Sequence, residues 1–484
     1  MATGNKFRRS AKWLIMSLSI LGAAFTDGET MAPTAMPIQR TMNQLEKSTA
    51  ENPARVRMLF YGQSIVAQGW HTNIVRQLKE RYPTAVFEVE NRAIGGFTSS
   101  DLIRTAESDL YPFSPDILFF HVYGSMNKYE AIVRKVRETT TAEIVLWTSH
   151  LSKKESETRE SIEALLAEPD ERSKAIKDVA ARYGCLFVDL RKKWCKMMLE
   201  TGNTSDVLLS DTIHLRSSGP AFGYYSNFIA EELVRVPGAS GEPEFSGTIT
   251  EIPVTDSRVK SAADGSLCLE FEGNRVVAVS DGGGIGESRV LLDFVPPEEC
   301  PDMYSTTRPS RLVSWMPMIK HVEMVPGAKP TVEDWTLTYI DGTKPLGDPI
   351  HYKVEGSVTG FDGEGWNTND FKSASGRVVI RKSDFHTWQY RYFLKDGHRE
   401  RDSVPGQKIT WSTKALFTNP FSAGKADERT TLVQNCANGR HVLQITPQVG
   451  GKVGVKSFIV YAPASECGGG GSAIRKGKMR VNGN

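Results

Sequence analysis

The segment VRMLFYGQS, Val56 to Ser64, joins an apolar run to a glycine turn and a serine. The apolar part predicts a buried β-strand over Val56–Tyr61. Gly62 permits a tight turn at the end of this strand, because glycine has no Cβ to restrict the backbone. Ser64 is therefore expected near the carboxyl end of the strand, where the reactive groups of open α/β sheets collect. By itself the serine also suits a cap for a following helix.

Strands and helices alternate over about residues 55–236. Near-continuous apolar runs predict further strands at Ala85–Val89, Ile117–Val122, Ile144–Trp147 and Leu186–Val188. Periodicity and capping signals predict helices at Thr72–Arg81, Ser100–Leu110 and Tyr129–Arg137, and long helices filling 155–183 and 220–235. Because such strands need cover on both faces, this order predicts an α/β fold with a parallel sheet between layers of helices.

The tetrapeptide Asp211-Thr212-Ile213-His214 lies about 150 residues after Ser64. A carboxylate three residues before a histidine can fold back and hold one imidazole tautomer. A histidine held in this way can take the proton of a serine hydroxyl. The alternative is a loop aspartate that caps backbone groups beside an unrelated surface histidine.

Two turns after predicted strands contain candidate donors to an oxyanion. One is Gly95-Gly96, where the missing side chain lets a backbone N–H approach a substrate oxygen. The other is Gly124-Ser125-Met126-Asn127, where the amide of Asn127 could donate to the same oxygen. The alternatives are a plain strand-to-helix turn at the glycines and a helix cap at Asn127.

Taken together and in this order, the four blocks resemble those of the SGNH (GDSL-like) hydrolase superfamily. The resemblance covers about residues 55–236 and implies a flavodoxin-like three-layer α/β/α domain. It implies that Ser64 is the nucleophile, that His214 is its base and that Asp211 orients the histidine. It implies an oxyanion hole made by the N–H groups of Ser64 and Gly96 and the amide of Asn127. It implies no metal and no organic cofactor.

Two features of the sequence depart from the usual SGNH pattern. Gln63 stands where the commonest version has aspartate, and Gly-Gln-Ser occurs in relatives that resemble carbohydrate acetyl esterases. The third block is one residue longer than the usual Gly-x-Asn, so Ser125 or a backbone donor could substitute for Asn127. Two histidines have weaker links to the site: His121 is expected in the core, and His150 could face the rim of the site.

The N-terminus has the pattern of a secretory signal peptide over residues 1–25. Basic residues precede the apolar run Trp13 to Phe25, and the last part of this run contains small residues. Residues 26–52 are interpreted as a linker. The expected location is therefore secreted or periplasmic, with no membrane span left after signal removal, because no later stretch has the roughly 20 apolar residues required. The formal net charge of +2 gives no argument for a nucleic-acid partner.

After the predicted α/β domain at 53–238, the pattern changes to short β-rich runs over 239–465. These runs predict a β-sandwich, loosely similar to the jelly-roll modules of carbohydrate enzymes, as one module or two. The predicted strands are Leu267–Phe271, Arg275–Val279, Arg289–Phe294, Trp335–Tyr339, Arg377–Ile380, Trp388–Leu394, His441–Ile445 and Val453–Tyr461. Residues 466–484 are interpreted as a flexible basic tail.

Several features of the β-rich part are open to more than one interpretation. The aromatic residues could offer flat faces to sugars, although burial in a core explains them as well; they are Trp366, Trp388, Tyr390, Tyr392 and Trp411. The run 361–370 collects oxygen ligands that calcium favours, but a polar turn is the better interpretation. The six cysteines allow 15 disulfide pairings and have no zinc-like spacing; they are Cys185, Cys195, Cys268, Cys300, Cys436 and Cys467.

The sequence therefore predicts an exported serine esterase that removes O-acyl groups, in the first place O-acetyl groups, from a poly- or oligosaccharide. The alternative is a catalytically degenerate SGNH scaffold that serves as a glycan-binding or surface module. A glycosidase is the least favoured hypothesis, because that chemistry normally needs two carboxylates and only Asp211 is placed by a motif.

Overall fold

The computed structural model describes residues 34–311, 315–341, 344–345, 349–386, 402–403 and 405–464. The predicted signal peptide at 1–25, the strand at Trp388–Leu394 and the tail at 466–484 lie outside the described residues. The aromatic residues Trp388, Tyr390 and Tyr392, and also Cys467, lie outside them too.

A five-stranded parallel sheet forms the centre of the first domain. Its strands are β1 Arg55–Gly62, β2 Val86–Asn91, β3 Ile117–His121, β4 Glu143–Trp147 and β5 Leu186–Val188. Their spatial order is β2-β1-β3-β4-β5, and all neighbouring pairs are parallel. This is the flavodoxin-like order, so the predicted α/β fold is confirmed.

Helices cover both faces of this sheet. They are α1 Gln39–Glu46, α2 Ser64–Ala67, α3 His71–Arg81, α4 Ser99–Asp109, α5 Met126–Thr139, α6 Arg159–Ala167, α7 Glu171–Arg182, α8 Leu190–Thr201, α9 Ser205–Leu208 and α10 Ala221–Ala230. Successive strand residues point to opposite faces. Phe60 and Phe119 accordingly pack with α3, α8 and α10, and Tyr61 and Phe120 pack with α4, α5 and α7. The sheet is therefore buried on both sides, as its apolar strands require.

Two expectations about this domain need correction, and one long helix was missed. The linker proposed at 26–52 contains α1, whose Met42 and Leu45 are buried in the core. The long helix expected over 155–183 is two helices, because Pro169 ends α6 and Asp170 caps α7 by accepting the N–H of Ser173 at 2.8 Å. Helix α8 was not predicted.

The described residues of the β-rich part form two large antiparallel sheets and two short pairs of two-residue strands. Its strands of three or more residues are β6 Thr248–Pro253, β7 Val259–Ser261, β8 Leu267–Ser280, β9 Ser288–Leu292, β10 Tyr304–Thr306, β11 Glu333–Tyr339, β12 His351–Gly356, β13 Gly360–Trp366, β14 Lys408–Ala415, β15 Arg429–Pro447 and β16 Val455–Ala462. The first sheet has the order β9-β15-β8-β16-β6, with β7 beside β8. The second has the order β10-β14-β11-β12-β13, and its chain segment is inserted between β9 and β15.

Each of these two sheets packs on a hydrophobic cluster of its own. In the first, the predicted strands Leu267–Phe271 and Arg275–Val279 are one strand, β8. A register shift between Gly273 and Arg275 reverses the alternation along it. Leu269 and Val276 therefore face the same core despite their odd spacing. The prediction of a β-rich region is thus confirmed. Its two large sheets have separate hydrophobic cores.

Among the described residues, no helix is long and apolar enough to cross a membrane.

Candidate active site

Ser64 directly follows the turn that ends β1. A Cβ on Gly62 would lie 2.1 Å from the carbonyl oxygen of His121 on the adjacent strand β3, so only glycine fits there. Ser64 opens the short helix α2, and Gln63 caps it. The Gln63 Oε1 accepts the N–H of Ile65 at 2.6 Å and lies 3.2 Å from the Ser64 Oγ. Gln63 therefore caps this helix, a role that the sequence left open for Ser64.

The loop that contains Asp211 and His214 is closed by its own hydrogen bonds. Ser210 N–H donates to the carbonyl of His214 at 2.8 Å, and Leu209 and Leu215 form an antiparallel bridge. The Asp211 Oδ1 accepts the backbone N–H groups of Ile213 and His214 at 2.9 and 2.8 Å. The aspartate therefore both caps the turn and faces the histidine, so the two alternatives considered from sequence are combined in one residue.

Ser64, His214 and Asp211 form a continuous chain of hydrogen bonds, here called the triad side of the site. The Ser64 Oγ lies 2.8 Å from the His214 Nε2, and the His214 Nδ1 lies 2.7 Å from the Asp211 Oδ2. An ionised carboxylate only accepts, so Nδ1 bears the proton and Nε2 is left to accept from the serine. The side chains of His214 and Asp211 are 37% and 52% exposed, so the triad is open to a large substrate.

The loop also determines the charge state of Asp211. Partial burial acts to raise the pKa of this carboxyl, but hydrogen bonds from Ile213 N–H, His214 N–H and the imidazole outweigh it. The net effect is a pKa below the ordinary value for aspartate. Asp211 therefore stays ionised to more acidic pH than a free aspartate does, and remains available to stabilise an imidazolium.

A reciprocal amide contact ties the loop of Ser64 to the loop of His214. The Gln68 side chain donates from Nε2 to the carbonyl of Leu215 at 2.8 Å and accepts the N–H of Leu215 at Oε1 at 3.1 Å. Gln68 follows α2, and Leu215 follows His214, so this pair fixes the spacing between Ser64 and His214. Sequence reasoning missed Gln68, because a polar residue four positions after the serine has no motif that marks it.

His150 supports the loop of Asp211 and His214 through a hydrogen bond to its backbone. It is 1% exposed, and its Nε2 lies 2.7 Å from the carbonyl of Ile213, to which it donates. Burial lowers the pKa of His150 to about 4, so the ring is neutral near pH 7. The rim position considered for His150 is therefore wrong. His121 is fully buried as expected, with its Nδ1 3.0 Å from the carbonyl of Trp147.

The two glycine-containing loops, here called the turn side of the site, lie against each other. Gly96 has φ +82°, a left-handed conformation that favours glycine, and Gly124 has φ +108°. A Cβ on Gly124 would lie 2.9 Å from the Oγ of Ser99. The Ser99 N–H donates to the carbonyl of Tyr123 and its Oγ donates to the carbonyl of Ser125, at 2.9 and 2.8 Å. The second and third blocks thus meet, as their order after neighbouring strands requires.

The turn side adjoins the triad side at Gly95. A Cβ built on Gly95 would lie 3.6 Å from the Cβ of Ser64. Asn127 is exposed in the first turn of α5, and Ser125 is the N-cap of that helix. Among the hydrogen bonds of the described residues, none joins Asn127 to Ser64. Two donors to one oxygen need not touch each other, so the role of Asn127 in the oxyanion hole stays a prediction.

Among the described residues, no group of three or more His, Cys, Asp or Glu side chains is arranged to hold a metal ion. Asp362, in the run once considered for calcium, is buried on β13 and accepts the N–H and Oγ–H of Ser375 at 2.8 and 2.6 Å. That carboxylate thus serves the fold of the second sheet.

Comparisons with known proteins give structural alignments only. No family model and no curated protein matches the chain. A two-domain esterase (CEX) active on acetylated mannans is 13% identical, over 89% of this chain and 97% of its own, with a TM-score of 0.36. An acetylxylan esterase from Geobacillus stearothermophilus is 18% identical, over 39% of this chain and 97% of its own, with a TM-score of 0.32. With such low identities and TM-scores, these alignments carry no weight for function. The proposal below rests on the geometry of the site.

Proposed function

We propose that this protein is an exported SGNH-type serine esterase that removes O-acyl groups, chiefly O-acetyl groups, from a carbohydrate. The observation that supports the proposal most strongly is the unbroken contact from the Ser64 Oγ through the His214 ring to the Asp211 carboxylate. A serine hydroxyl is a poor nucleophile unless a base lies within hydrogen-bond distance, and a neutral histidine oriented by a carboxylate is such a base.

In the first half of the proposed reaction, Ser64 becomes acylated. The Ser64 Oγ forms a bond to the ester carbonyl carbon while its proton moves to the His214 Nε2. The imidazolium that results faces Asp211, which remains ionised. His214 then gives this proton to the sugar oxygen as the bond between that oxygen and the acyl carbon breaks. The products of this half are a free sugar hydroxyl and an acyl-Ser64.

In the second half, water releases the acid. A water molecule attacks the acyl carbon while the His214 Nε2 takes one of its protons. The same proton returns to the Ser64 Oγ as the acyl–serine bond breaks, so that acetic acid is formed and the enzyme is restored. No external oxidant, reductant or group donor is needed.

The turn side would supply the oxyanion hole. The N–H groups of Ser64 and Gly96 and the Asn127 amide are proposed as donors to the oxygen that becomes negative. The left-handed conformation of Gly96 and the closeness of the preceding Gly95, on which a built Cβ would lie 3.6 Å from the Ser64 Cβ, support this assignment.

The sugar substrate and the export are supported by the sequence and by the openness of the site. Gly62-Gln63-Ser64 is the version of the first block found in relatives that resemble carbohydrate acetyl esterases. An exposed triad admits an ester that projects from a polymer chain. The basic and apolar pattern at the N-terminus supports export.

The test is acetate release from acetylated xylan, acetylated mannan and acetylated pectin. We expect the wild-type protein to release acetate from at least one of them and Ser64→Ala to release none above background. Ser100→Ala, which changes an exposed serine on α4, is the matched control and should behave as wild type. Equal release by Ser64→Ala and wild type would contradict the mechanism, and no release from any of the three by the wild type would contradict the substrate class.

A further inference from the structure

We propose that Trp315, which belongs to the β-rich part of the chain, forms a wall of the Ser64 site and binds the sugar ring that bears the acyl group. This inference rests on the proposed function and deepens it. It assigns to the β-rich part a direct role in substrate binding at the catalytic centre.

Trp315 lies against the turn side of the site. Its Nε1 donates to the carbonyl of Gly95 at 3.0 Å. A Cβ built on Gly95 would lie 3.1 Å from this Nε1 and 3.6 Å from the Ser64 Cβ. The indole and the nucleophile are therefore separated by little more than one glycine, although they are about 250 residues apart in sequence.

The chain around Trp315 is anchored on the α/β domain. The residues concerned, 308–311 and 315–323, are called here the crossing segment. Met316 is 1% exposed and packs in the same cluster as Tyr61 and Phe120 of the parallel sheet. Arg308 forms an ion pair with Asp109 at 2.6 Å and donates to the carbonyl of Arg92 at 2.6 Å.

A second set of contacts fixes the far end of the crossing segment. Arg104 on α4 pairs with both Glu323 and Asp384 of the β-rich part, at 2.5 and 2.8 Å. Lys320 lies 3.5 Å from Asp101 on the same helix. These contacts on both sides of Trp315 hold its position, so the indole is a pre-formed part of the site surface.

The exposure of Trp315 distinguishes it from the tryptophans of the α/β core. It is 47% exposed, whereas Trp70, Trp147 and Trp194 are at most 1% exposed. Burial in a core therefore does not explain the presence of this large side chain. Its polar N–H already donates to Gly95, so the accessible surface of the residue is mainly apolar and aromatic.

A pyranose ring is a chemically suitable ligand for such a surface. One face of the ring presents C–H groups, which pack on the flat apolar face of an indole, and its hydroxyls remain in water. The acyl group attached to the ring would then extend toward Ser64. An acyl-chain site for lipid esters is the other use of an exposed aromatic wall, and the experiment below separates the two.

The experiment compares kcat/KM for xylose tetraacetate, ethyl acetate and ethyl octanoate in wild type, Trp315→Ala and Trp315→Phe. Ethyl acetate has an alkoxide leaving group without a ring, and ethyl octanoate has a long acyl chain without a ring. We expect Trp315→Ala to lower kcat/KM about tenfold or more for xylose tetraacetate and less than about twofold for the ethyl esters. Trp315→Phe should retain most of the activity on the sugar ester.

Trp366→Ala is the matched control. Trp366 is also partly exposed, at 37%, but it lies on β13 at the edge of the second sheet. Its substitution should leave all three rates unchanged. Thermal unfolding midpoints of the variants verify that the chain is folded.

Three outcomes would overturn the inference. An equal loss on sugar and ethyl esters would make Trp315 a structural support for the Ser64 loop. A loss confined to ethyl octanoate would make it an acyl-chain site. Unchanged rates on all esters would remove it from substrate binding. Failure of the proposed function looks different, because then the wild-type protein hydrolyses none of the three esters.

Discussion

The triad side and the turn side of the site are built by different means. Ser64, His214 and Asp211 are placed by side-chain hydrogen bonds, and the amide of Gln68 ties their two loops together. The loops of Gly96 and Gly124 are instead shaped by backbone conformation and by two hydrogen bonds that Ser99 donates to backbone carbonyls.

This difference indicates which part of the site tolerates change. In the proposed mechanism the proton relay works only at hydrogen-bond distances, so we expect each side chain on the triad side to be required. An oxyanion receives several donors at once, so we expect the loss of one donor to weaken the proposed oxyanion hole without abolishing its effect. The longer third block, Gly124 to Asn127, lies on the turn side. The predictions below test this contrast by changing first one side and then the other.

The largest effect is expected from Asp211→Asn. The amide cannot act as an anionic acceptor for the His214 Nδ1–H, so the favourable tautomer is lost and kcat should fall about 10³–10⁴-fold. Ester hydrolysis by purified variants measures this. Asp206→Asn is the control, because Asp206 is an exposed carboxylate in the preceding helix that pairs with Lys153. A variant of Asp211 with a near-normal rate would show that the hydrogen bond to His214 has no catalytic role.

A smaller loss is expected from Asn127→Ala on the turn side. If the amide is one of several oxyanion donors, kcat should fall about 10²–10³-fold, and KM should change little. Lys128→Ala, at the next exposed position of α5, should have no such effect. A loss of less than about threefold in Asn127→Ala would exclude the amide from the oxyanion hole, and Ser125→Ala then tests the substitute donor.

The smallest effect is expected from Gln68→Leu. The change removes both hydrogen bonds to Leu215 and leaves that backbone unpaired, which should cost about 1–3 kcal/mol in the free energy of unfolding. Because the bonds fix the spacing between Ser64 and His214, kcat should also fall about tenfold. Denaturant unfolding and ester hydrolysis measure the two effects.

Gln77→Leu is the control for Gln68, since Gln77 makes only a surface hydrogen bond to Asn227 at 2.8 Å among the described contacts. It should change neither quantity appreciably. If Gln68→Leu loses stability but keeps its kcat, the contact with Leu215 supports the fold and does not position the triad.

The elements nearest to the site could be predicted from sequence because local signals mark them. The apolar runs gave the five parallel strands to within about two residues, since the inner strands of a sheet covered on both faces are almost wholly apolar. Gly62 could be recognised because a tight turn after a strand favours glycine. The Asp211-Thr212-Ile213-His214 loop could be recognised because a carboxylate close to a histidine can hold one imidazole tautomer. Those signals also put Ser64 and His214 into one proposed site, where the structure places their side chains 2.8 Å apart.

Other features depend on contacts that no local pattern encodes. Gln68, through two hydrogen bonds, and His150, through one, hold the backbone of a loop that is remote in sequence. Trp315 reaches the site only because Met316 and Arg308 dock the crossing segment on α4 and the parallel sheet. The long strand β8 was divided in the prediction because its Gly273 has the sequence signature of a turn, whereas in the sheet it lies at a bulge.

The central claim is that His214 activates the Ser64 hydroxyl as a nucleophile. The most direct test is intact-protein and peptide mass spectrometry after incubation with a 4-nitrophenyl phosphonate ester, which traps activated serines covalently. The account predicts one phosphonyl adduct on the peptide that contains Ser64 in the wild-type protein, and no adduct there in Ser64→Ala or His214→Ala. An unlabelled Ser64 in the folded wild-type protein, or equal labelling in His214→Ala, would contradict it.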